Sequence, residues 1–286
     1  MNKETDEKLA EYAASGNRQA LELLAKRYRD YFYNIALKMY FYPEDAQDIT
    51  QEALIKLITN LSGFENRSSF KTWAYKICVN HIINFRKSKA EKLHASSFSE
   101  YWKKINSTED FDFPDTSGMC ADTHTILDEI KTSCMTGMLL CLSREQRMVY
   151  ILGGIFGLSD SMCSEILDIT RDNFRQKLSR ARKSIRNFMT EKCGLVKAGN
   201  PCHCGDKAKS LIESGYINPG NLRFCRDYTL SIEKISEKKL DDFDDFYEEK
   251  CRKLFLTHPY QQPPGFIDDI KNIIESDRFR SIFNFN

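Results

Sequence analysis

Residues 158–189 read LSDSMCSEILDITRDNFRQKLSRARKSIRNFM. Apolar side chains recur here every three or four residues, which is the spacing of an amphipathic helix. The pattern breaks once, so it predicts a short helix over 158–167 and a longer one over 171–189. Thr170 can cap the second helix, and Asp168 is among the few residues besides glycine that tolerate the left-handed backbone of a tight turn. This arrangement is a helix-turn-helix.

The longer helix is basic, and a second basic segment lies far from it in the sequence. Residues 171–192 hold eight basic residues against two acids, and residues 66–92 hold seven against one. Between them, residues 100–129 hold eight acids against two lysines, so the net charge of +1 hides the separation. Two basic units joined by an acidic linker are suited to contact an extended polyanion at two places. The alternative is that each segment is only a solvated helix face.

The N-terminal part of the chain also shows helical spacing. Residues 6–39 predict a pair of helices, and Pro43 followed by acids is typical of the start of another. A polar break over 62–68 precedes a further helix that begins near Ser69. We therefore expect an all-α bundle before the acidic segment.

Several other classes of protein are excluded by composition. The 286 residues contain no apolar run of the length that a membrane-spanning helix needs, and the charged N-terminus does not resemble a signal peptide, so we expect a cytoplasmic protein. Support for an enzyme is thin. The segment Gly153–Gly157 is the nearest approach to a phosphate loop, but it lies inside a helical pattern and lacks the Lys-Ser or Lys-Thr that follows such a loop.

Two blocks of sequence carry a family resemblance. The first consists of Asp45-Ala46-Gln47-Asp48-Ile49-Thr50-Gln51-Glu52, Phe64, Ser68-Ser69-Phe70-Lys71-Thr72-Trp73 and Asn80. The second consists of Leu142-Ser143-Arg144-Glu145-Gln146-Arg147, Gly157-Leu158-Ser159, Glu165-Ile166-Leu167 and Leu178-Ser179-Arg180-Ala181-Arg182. They resemble regions 2 and 4 of the extracytoplasmic-function sigma factors of bacterial RNA polymerase, in the family's order. Ser161-Met162-Cys163 departs from the acidic and aliphatic residues that the family usually has there.

The resemblance implies an all-α protein with two helical domains joined by a flexible linker, plus a small, mostly helical C-terminal extension. We expect a region 2-like bundle over 1–90, an acidic linker over 91–130, a region 4-like helix-turn-helix over 131–192 and a cysteine-containing extension over 193–286. Helices are also predicted around 232–254 and 266–279. The role of the last stretch cannot be assigned from its sequence.

The resemblance further implies a sigma factor, not an enzyme, which directs core RNA polymerase to promoter DNA and supports DNA opening. The alternative is an autonomous helix-turn-helix regulator, which would leave the first block unused. An anti-sigma factor is a further candidate partner. The expected polymerase-binding residues are Asp45, Asp48, Gln51 and Glu52. The expected DNA-binding residues are Arg67, Lys71, Lys76, Asn80, Arg86, Arg171, Asn173, Arg175, Gln176, Lys177 and Arg180.

The chemistry of these residues agrees with that role. Strand opening needs aromatic or apolar surfaces that replace lost base stacking and cations that hold the phosphates, and the segment from Phe64 to Arg86 interleaves both. Trp73 is also spaced to lie in the core, which is the more conservative interpretation. Arg182, Lys183 and Arg186 fit phosphate anchors and plain solvated charges equally well.

Cysteines cluster directly after the basic helix. The metal-ligand candidates are Cys193, Cys202, His203 and Cys204, whose thiolates and imidazole suit zinc. Adjacent ligands make an awkward tetrahedron, and Cys134 and Cys141 could complete a set if the tail folds back. The favoured alternative is that no cofactor is bound and that the thiols are buried or idle.

Overall fold

Helices make up the regular structure of this chain wherever it is described. The computed structural model describes residues 4–85, 91, 97–119 and 121–224, and the β-type pairing within these ranges is limited to an isolated bridge between Cys193 and Cys202. The all-α fold class is confirmed. None of the described helices is both long enough and apolar enough to cross a membrane. The helices expected around 232–254 and 266–279 lie outside the described residues.

Four helices form the N-terminal bundle: α1 (Asp6–Ala14), α2 (Arg18–Tyr40), α3 (Pro43–Thr59) and α4 (Phe70–Asn84). Polar caps begin three of them, because the side chains of Thr5, Asn17 and Ser69 accept hydrogen bonds from first-turn amides. Helix α3 begins with Pro43, as expected, since the amide that proline lacks would have no partner at a first helical position.

Aromatic rings fill the centre of this bundle. Tyr28 and Phe32 of α2 meet Phe70 and Tyr75 of α4, with ring centroids 5.6–6.5 Å apart and near-perpendicular planes. All four rings are buried. The Tyr28 hydroxyl donates to an Asp6 carboxylate oxygen at 2.5 Å, which ties α1 to the same cluster. This packing fixes α4 against α2 and leaves the opposite side of α4 available for other contacts.

Two helices, α5 (Phe98–Asn106) and α6 (Thr123–Leu140), precede the helix-turn-helix. Helix α5 and the start of α6 lie within 91–130, where the charge pattern indicated a flexible linker. Tyr101 of α5 is buried, and its hydroxyl donates to the Cys134 carbonyl at 2.9 Å. Gly137 permits this approach, because a Cβ there would lie 2.8 Å from the Tyr101 hydroxyl. The count of acidic residues did not indicate this apolar face.

The C-terminal helical unit contains α7 (Arg144–Val149), a π-helical stretch (Tyr150–Ile155), α8 (Asp160–Leu167) and α9 (Arg171–Lys192). Asp168 adopts the left-handed conformation expected of the turn, with φ 54° and ψ 45°. The Thr170 side chain accepts from the Asn173 amide at 3.2 Å, so the predicted cap is present. Helix α8 begins at Asp160, two residues later than the pattern predicted, because Ser159 caps it.

The glycine-rich segment before α8 is a packing element. Gly153 lies in the π-helical stretch, and a Cβ there would approach the Phe174 ring to 2.7 Å. The glycine therefore lets α9 lie close to the preceding helix. This explains the glycine without a phosphate-binding role.

A buried arginine joins the two helical units. Arg147 of α7 donates to the carbonyl of Met39, at the end of α2, at 2.5 Å, and to the carbonyl of Leu139, in α6, at 3.0 Å. Arg147 and Arg144 also reach the Glu91 carboxylate, at 3.2 and 2.5 Å. Helix α4 packs on α8, so the helix-turn-helix lies directly against the N-terminal bundle.

The chain turns back after α9. The Asn200 side-chain amide donates to the carbonyls of Thr190 and Cys193, at 2.8 and 2.9 Å, which satisfies groups left open at the end of α9. Helix α10 (Ala208–Glu213) then packs against α6. A second small core forms there from Ile126, Ile130, Ala208, Ile217 and Leu222.

Candidate nucleic-acid interface

One side of α9 carries exposed polar side chains near its N-terminus. Arg171, Asn173, Arg175, Gln176 and Arg180 are exposed, and Lys177 is half-buried. Phe174 and Leu178 lie on the opposite side and are buried, as the spacing predicted. The six polar side chains are of the types that contact phosphates and base edges when a helix enters the major groove. Their role in DNA binding stays a prediction.

Carboxylates orient two of these cations. Arg175 Nε lies 2.5 Å from an Asp160 oxygen, and Arg175 Nη1 lies 3.8 Å from Asp172. The hydrogen bond that Arg175 donates to Asp160 raises the pKa of Arg175 above its ordinary value. Lys177 Nζ lies 2.5 Å from Glu145. Spacing along α9 indicates only the pair with Asp172, three residues away, because Asp160 and Glu145 belong to other helices.

A basic groove continues along α9 from this face. It encloses about 500 Å³ between the π-helical stretch and α9, and Arg175, Arg182, Lys183 and Arg186 line one side of it. From the sequence, Arg182, Lys183 and Arg186 fitted either phosphate contacts or solvated charges without a role. Their position beside Arg175 favours phosphate contact, because one continuous positive surface can follow a DNA backbone.

Helix α4 and the loop before it hold the other basic candidates. Arg67 is exposed and pairs with Glu65. Lys71 is exposed, and its ammonium lies 5.8 Å from the Tyr31 ring centroid. Lys76 is half-buried. Asn80 is exposed, and Arg86 lies outside the described residues.

An aromatic cluster sits at the start of α4. Phe64 contacts Phe70 and Trp73, with centroid distances of 5.1 and 5.3 Å. Phe70 is buried, whereas Phe64 and Trp73 are only half-buried. Trp73 therefore packs on the core, as its spacing predicted, and keeps part of its ring accessible. A partly accessible ring beside exposed cations is the arrangement that stacking on an unpaired base requires.

A cavity of about 750 Å³ lies between α3 and α4. Asp48, Gln51 and Glu52 line it from α3, and Asn80 and His81 line it from α4. The structure therefore brings three candidate polymerase-binding residues and one candidate DNA-binding residue to the same cavity. Sequence reasoning did not single out His81, since one histidine in a helix gives no signal by itself.

His81 links the two sides of this cavity. Its Nε2 lies 3.1 Å from a Glu52 oxygen, and its Nδ1 lies 2.9 Å from Lys56 Nζ. Burial and the Lys56 charge lower the pKa of His81, and Glu52 opposes them in part. A neutral imidazole here can accept from Lys56, so α3 and α4 are connected through polar contacts as well as apolar ones.

The candidate docking residues lie on α3. Asp48 and Glu52 are exposed, and Asp45 and Gln51 are half-buried. Their spacing of three and four places them along one side of the helix. Exposed acids on one side of a helix suit a basic protein surface.

Thiols from three segments surround one small apolar cavity. Cys134 of α6, Cys193 at the end of α9, and Cys202 and Cys204 of the turn-back segment line it. Cys193 and Cys202 are neighbours across the isolated bridge. The tail therefore folds back to Cys134. His203 is exposed and does not line this cavity; its Nε2 lies 3.1 Å from the Ala198 carbonyl oxygen.

Burial keeps three of these thiols protonated, because it raises the pKa of Cys134, Cys202 and Cys204. It raises the pKa of Cys202 to about 11 and that of Cys204 to about 12. Among the described residues, no group of three or more histidine, cysteine or acidic side chains is arranged to hold a metal ion. Zinc binding by Cys193, Cys202, His203 and Cys204 therefore stays a prediction without geometric support.

Comparison with known proteins matches part of this chain to sigma factors. The model of the Sigma-70 region 2 family matches residues 24–91, which include α2, α3 and α4. The ECF RNA polymerase sigma-E factor of Haemophilus influenzae is 28% identical over 189 residues, 64% of this chain and 94% of the relative. The RNA polymerase sigma-H factor of Pseudomonas aeruginosa is 23% identical over 65% of this chain and 94% of the relative. The sigma-E factor of Escherichia coli K12 is 26% identical over 64% of this chain and 93% of the relative.

Solved structures give a weaker likeness. CnrH, solved in complex with the cytosolic domain of CnrY, is 21% identical, with a TM-score of 0.45 over 65% of this chain and 98% of that chain. The curated relatives are matched over nearly their whole length by about two thirds of this chain. About one third of the chain therefore lies outside those alignments.

Proposed function

The chain belongs to the extracytoplasmic-function sigma factors of bacterial RNA polymerase, and from this premise we propose how its surfaces divide the work of promoter recognition. It directs core RNA polymerase to promoters and supports DNA opening. The observation that carries the division is the presence of two exposed basic surfaces on separate helical units, one on α4 and one on α9. An acidic docking helix, α3, lies beside the first surface.

Helix α4 and the preceding loop engage the −10 element. Lys71, Lys76 and Arg86 hold phosphates, and Arg67 and Asn80 lie nearer the bases. The half-buried rings of Phe64 and Trp73 support this proposal, because an aromatic surface compensates for the stacking that an opened strand loses. Phosphate contacts fix position, so they act on every promoter sequence alike.

Helix α9 reads the −35 element in the major groove. Arg175 and Gln176 contact base edges, and Arg171, Asn173, Lys177 and Arg180 contribute phosphate or further base contacts. Arg175 is the strongest candidate for direct readout, because its carboxylate partner Asp160 holds the guanidinium in one orientation. When DNA binds, the Arg175 guanidinium must either keep part of its contact with Asp160 or exchange that contact for one with a base.

Helix α3 docks on core polymerase through Asp45, Asp48, Gln51 and Glu52. The exposed acids Asp48 and Glu52 supply the charge that a basic docking surface needs. The same residues line the cavity shared with Asn80, so docking and −10 recognition occur on adjoining surfaces.

The remaining features of the proposal concern the whole chain. The relatives are regulatory initiation factors, and we assign the chain no chemistry of its own and no cofactor. We place it in the cytoplasm, with core polymerase and promoter DNA as partners and an anti-sigma factor as a further candidate partner. Its division into 1–90, 91–130, 131–192 and 193–286 stays part of the proposal.

Transcription with purified core polymerase tests this function. A library of DNA templates with randomised −10 and −35 segments is transcribed with and without the full chain, and the transcripts are sequenced. We expect chain-dependent transcripts that share both elements. Binding to single DNA sites without chain-dependent transcription would instead support an autonomous helix-turn-helix regulator.

A further inference from the structure

The two DNA-facing helices are close together in this structure. Helix α4 packs on α8, and α8 packs on α9. Packed helices are about 10 Å apart, so α4 and α9 are separated by roughly 20 Å. The −10 and −35 elements are centred about 25 base pairs apart, which is about 85 Å of duplex at about 3.4 Å per base pair. Both helices therefore cannot engage their elements in this arrangement.

Polar contacts close the interface between the units. Arg147 bridges the carbonyls of Met39 and Leu139, and Arg144 donates to the carbonyls of Ile83 and Phe85, at 3.0 and 2.8 Å. These contacts connect the start of the C-terminal unit with the ends of α2 and α4. They define the closed state of the chain.

The extension adds a second connection, from the far end of α9 back to the bundle. It ends, among the described residues, with the amides of Arg223 and Phe224 donating to the buried Glu129 carboxylate, each at 2.9 Å. The Phe224 ring lies 5.5 Å from the Phe41 ring, centroid to centroid. The Arg223 guanidinium lies over Tyr42, 5.6 Å from its centroid.

The position of these contacts connects the extension to the docking helix. Tyr42 is the N-cap residue of α3, and Phe41 precedes it with a positive φ of 74° and a ψ of −47°. Arg223 and Phe224 thus cover the junction between α2 and α3. Polymerase bound along α3 would meet the extension at this junction.

We propose that residues 193–224 form an intramolecular latch, which holds the two DNA-binding units in the closed state until core polymerase occupies α3. The latch begins at the end of α9, crosses α6 and ends on Phe41 and Tyr42. The surface that the latch covers belongs to the same chain. Release of the latch separates α4 from α9. This inference rests on the proposed function.

Energy transfer within the full chain tests the latch. Donor and acceptor dyes are attached through unnatural amino acids at Tyr12 and Asn187, which are exposed on different units. In the double variant Arg223→Ala/Phe224→Ala we expect the ratio of closed to open molecules to fall about tenfold or more, because the Phe41 contact is lost. Lys26→Ala is the control: Lys26 is exposed on α2, outside residues 193–224, and no change is expected.

A second variant keeps the test decisive if the first unfolds. Glu129→Gln preserves the side-chain volume and weakens the two hydrogen bonds from the extension, so it should also shift the population toward longer distances. Core polymerase added to the unaltered chain should produce the same shift. Unchanged distances in both variants would overturn the latch.

Transcription separates failure of the latch from failure of the proposed function. The latch variants should reach half-maximal transcription at a chain concentration several-fold lower than the unaltered chain does. If distances shift as expected but no chain supports transcription, the latch stands and the sigma-factor assignment of these surfaces fails. If all chains support transcription with identical distances, the latch alone fails.

Discussion

A lysine buried between the two units provides a quantitative prediction. Lys38 of α2 is 6% exposed, and its ammonium lies 5.9 Å from the centroid of the Phe156 ring, in the C-terminal unit. Within the part of the chain that the structure describes, it has no carboxylate partner. Burial lowers its pKa from 10.5 to about 8. Each pKa unit is worth about 1.4 kcal/mol, so the buried charge costs about 3 kcal/mol at neutral pH.

Lys38→Met should therefore stabilise the fold. Methionine has a similar length and no charge, so the variant should gain up to about 3 kcal/mol in free energy of unfolding at pH 7. The cation–π contact with Phe156 offsets part of this gain. Urea unfolding, followed by circular dichroism, measures the difference between variant and unaltered chain.

The gain should depend on pH in a defined direction. The folded pKa is lowered, so between about pH 8 and 10.5 the unfolded chain binds more protons at Lys38 than the folded chain does. The unaltered chain therefore recovers stability at this site as pH rises, and the advantage of the variant should shrink to about 1 kcal/mol by pH 10. A constant difference, or a destabilised variant at pH 7, would refute the burial of an unpaired ammonium.

Three further results are expected. Asp48→Arg with Glu52→Arg should weaken association with core polymerase in a pull-down while helical content stays unchanged, because like charge opposes docking. Arg175→Ala should reduce discrimination at the −35 element by about 1–3 kcal/mol, whereas Lys71→Ala should weaken −10 engagement evenly across sequences, as measured by binding to matched and mutated sites. Burial raises the pKa of Cys204 to about 12 and so lowers its thiolate fraction, which the higher nucleophilicity of that thiolate offsets in part. Its alkylation in the native protein should therefore be about thirtyfold or more slower than that of an ordinary thiol, as followed by mass spectrometry.

Matched controls accompany these three tests. Glu44→Arg changes an exposed acid on the first turn of α3 outside the docking set, and association should persist. Equal losses on matched and mutated −35 sites would make Arg175 a phosphate contact. Fast alkylation of Cys204 would show that the thiol cavity is open.

Elemental analysis of the reduced protein decides the zinc prediction, since stoichiometric zinc lost in Cys202→Ser/Cys204→Ser would establish the metal site.

Local features of this chain were predictable because they depend on neighbouring residues. The helix-turn-helix follows from periodicity, from the left-handed Asp168 and from the Thr170 cap, and each is present as predicted. The buried side of α9 follows from the same spacing. The start of α3 at Pro43 is equally local.

Features that depend on distant parts of the chain were not predictable in the same way. Two examples are the pair of Asp160 with Arg175 and the contact of Arg147 with Met39. Each joins different elements, so spacing along one helix does not indicate it. The sequence indicated a return of the tail to Cys134 only as a condition for completing a metal site. Helix α5 was missed, because a count of acids describes the exposed side of a segment and not its apolar side.

Photo-crosslinking in an initiation complex tests most directly whether α4 and α9 engage two separate promoter elements. A photoreactive amino acid replaces Asn80 in one preparation and Gln176 in another, and each chain is combined with core polymerase and a promoter selected by transcription. We expect crosslinks at the −10 element from position 80 and at the −35 element from position 176, about 25 base pairs apart. Crosslinks from both positions to one element, or from position 176 alone, would contradict this expectation.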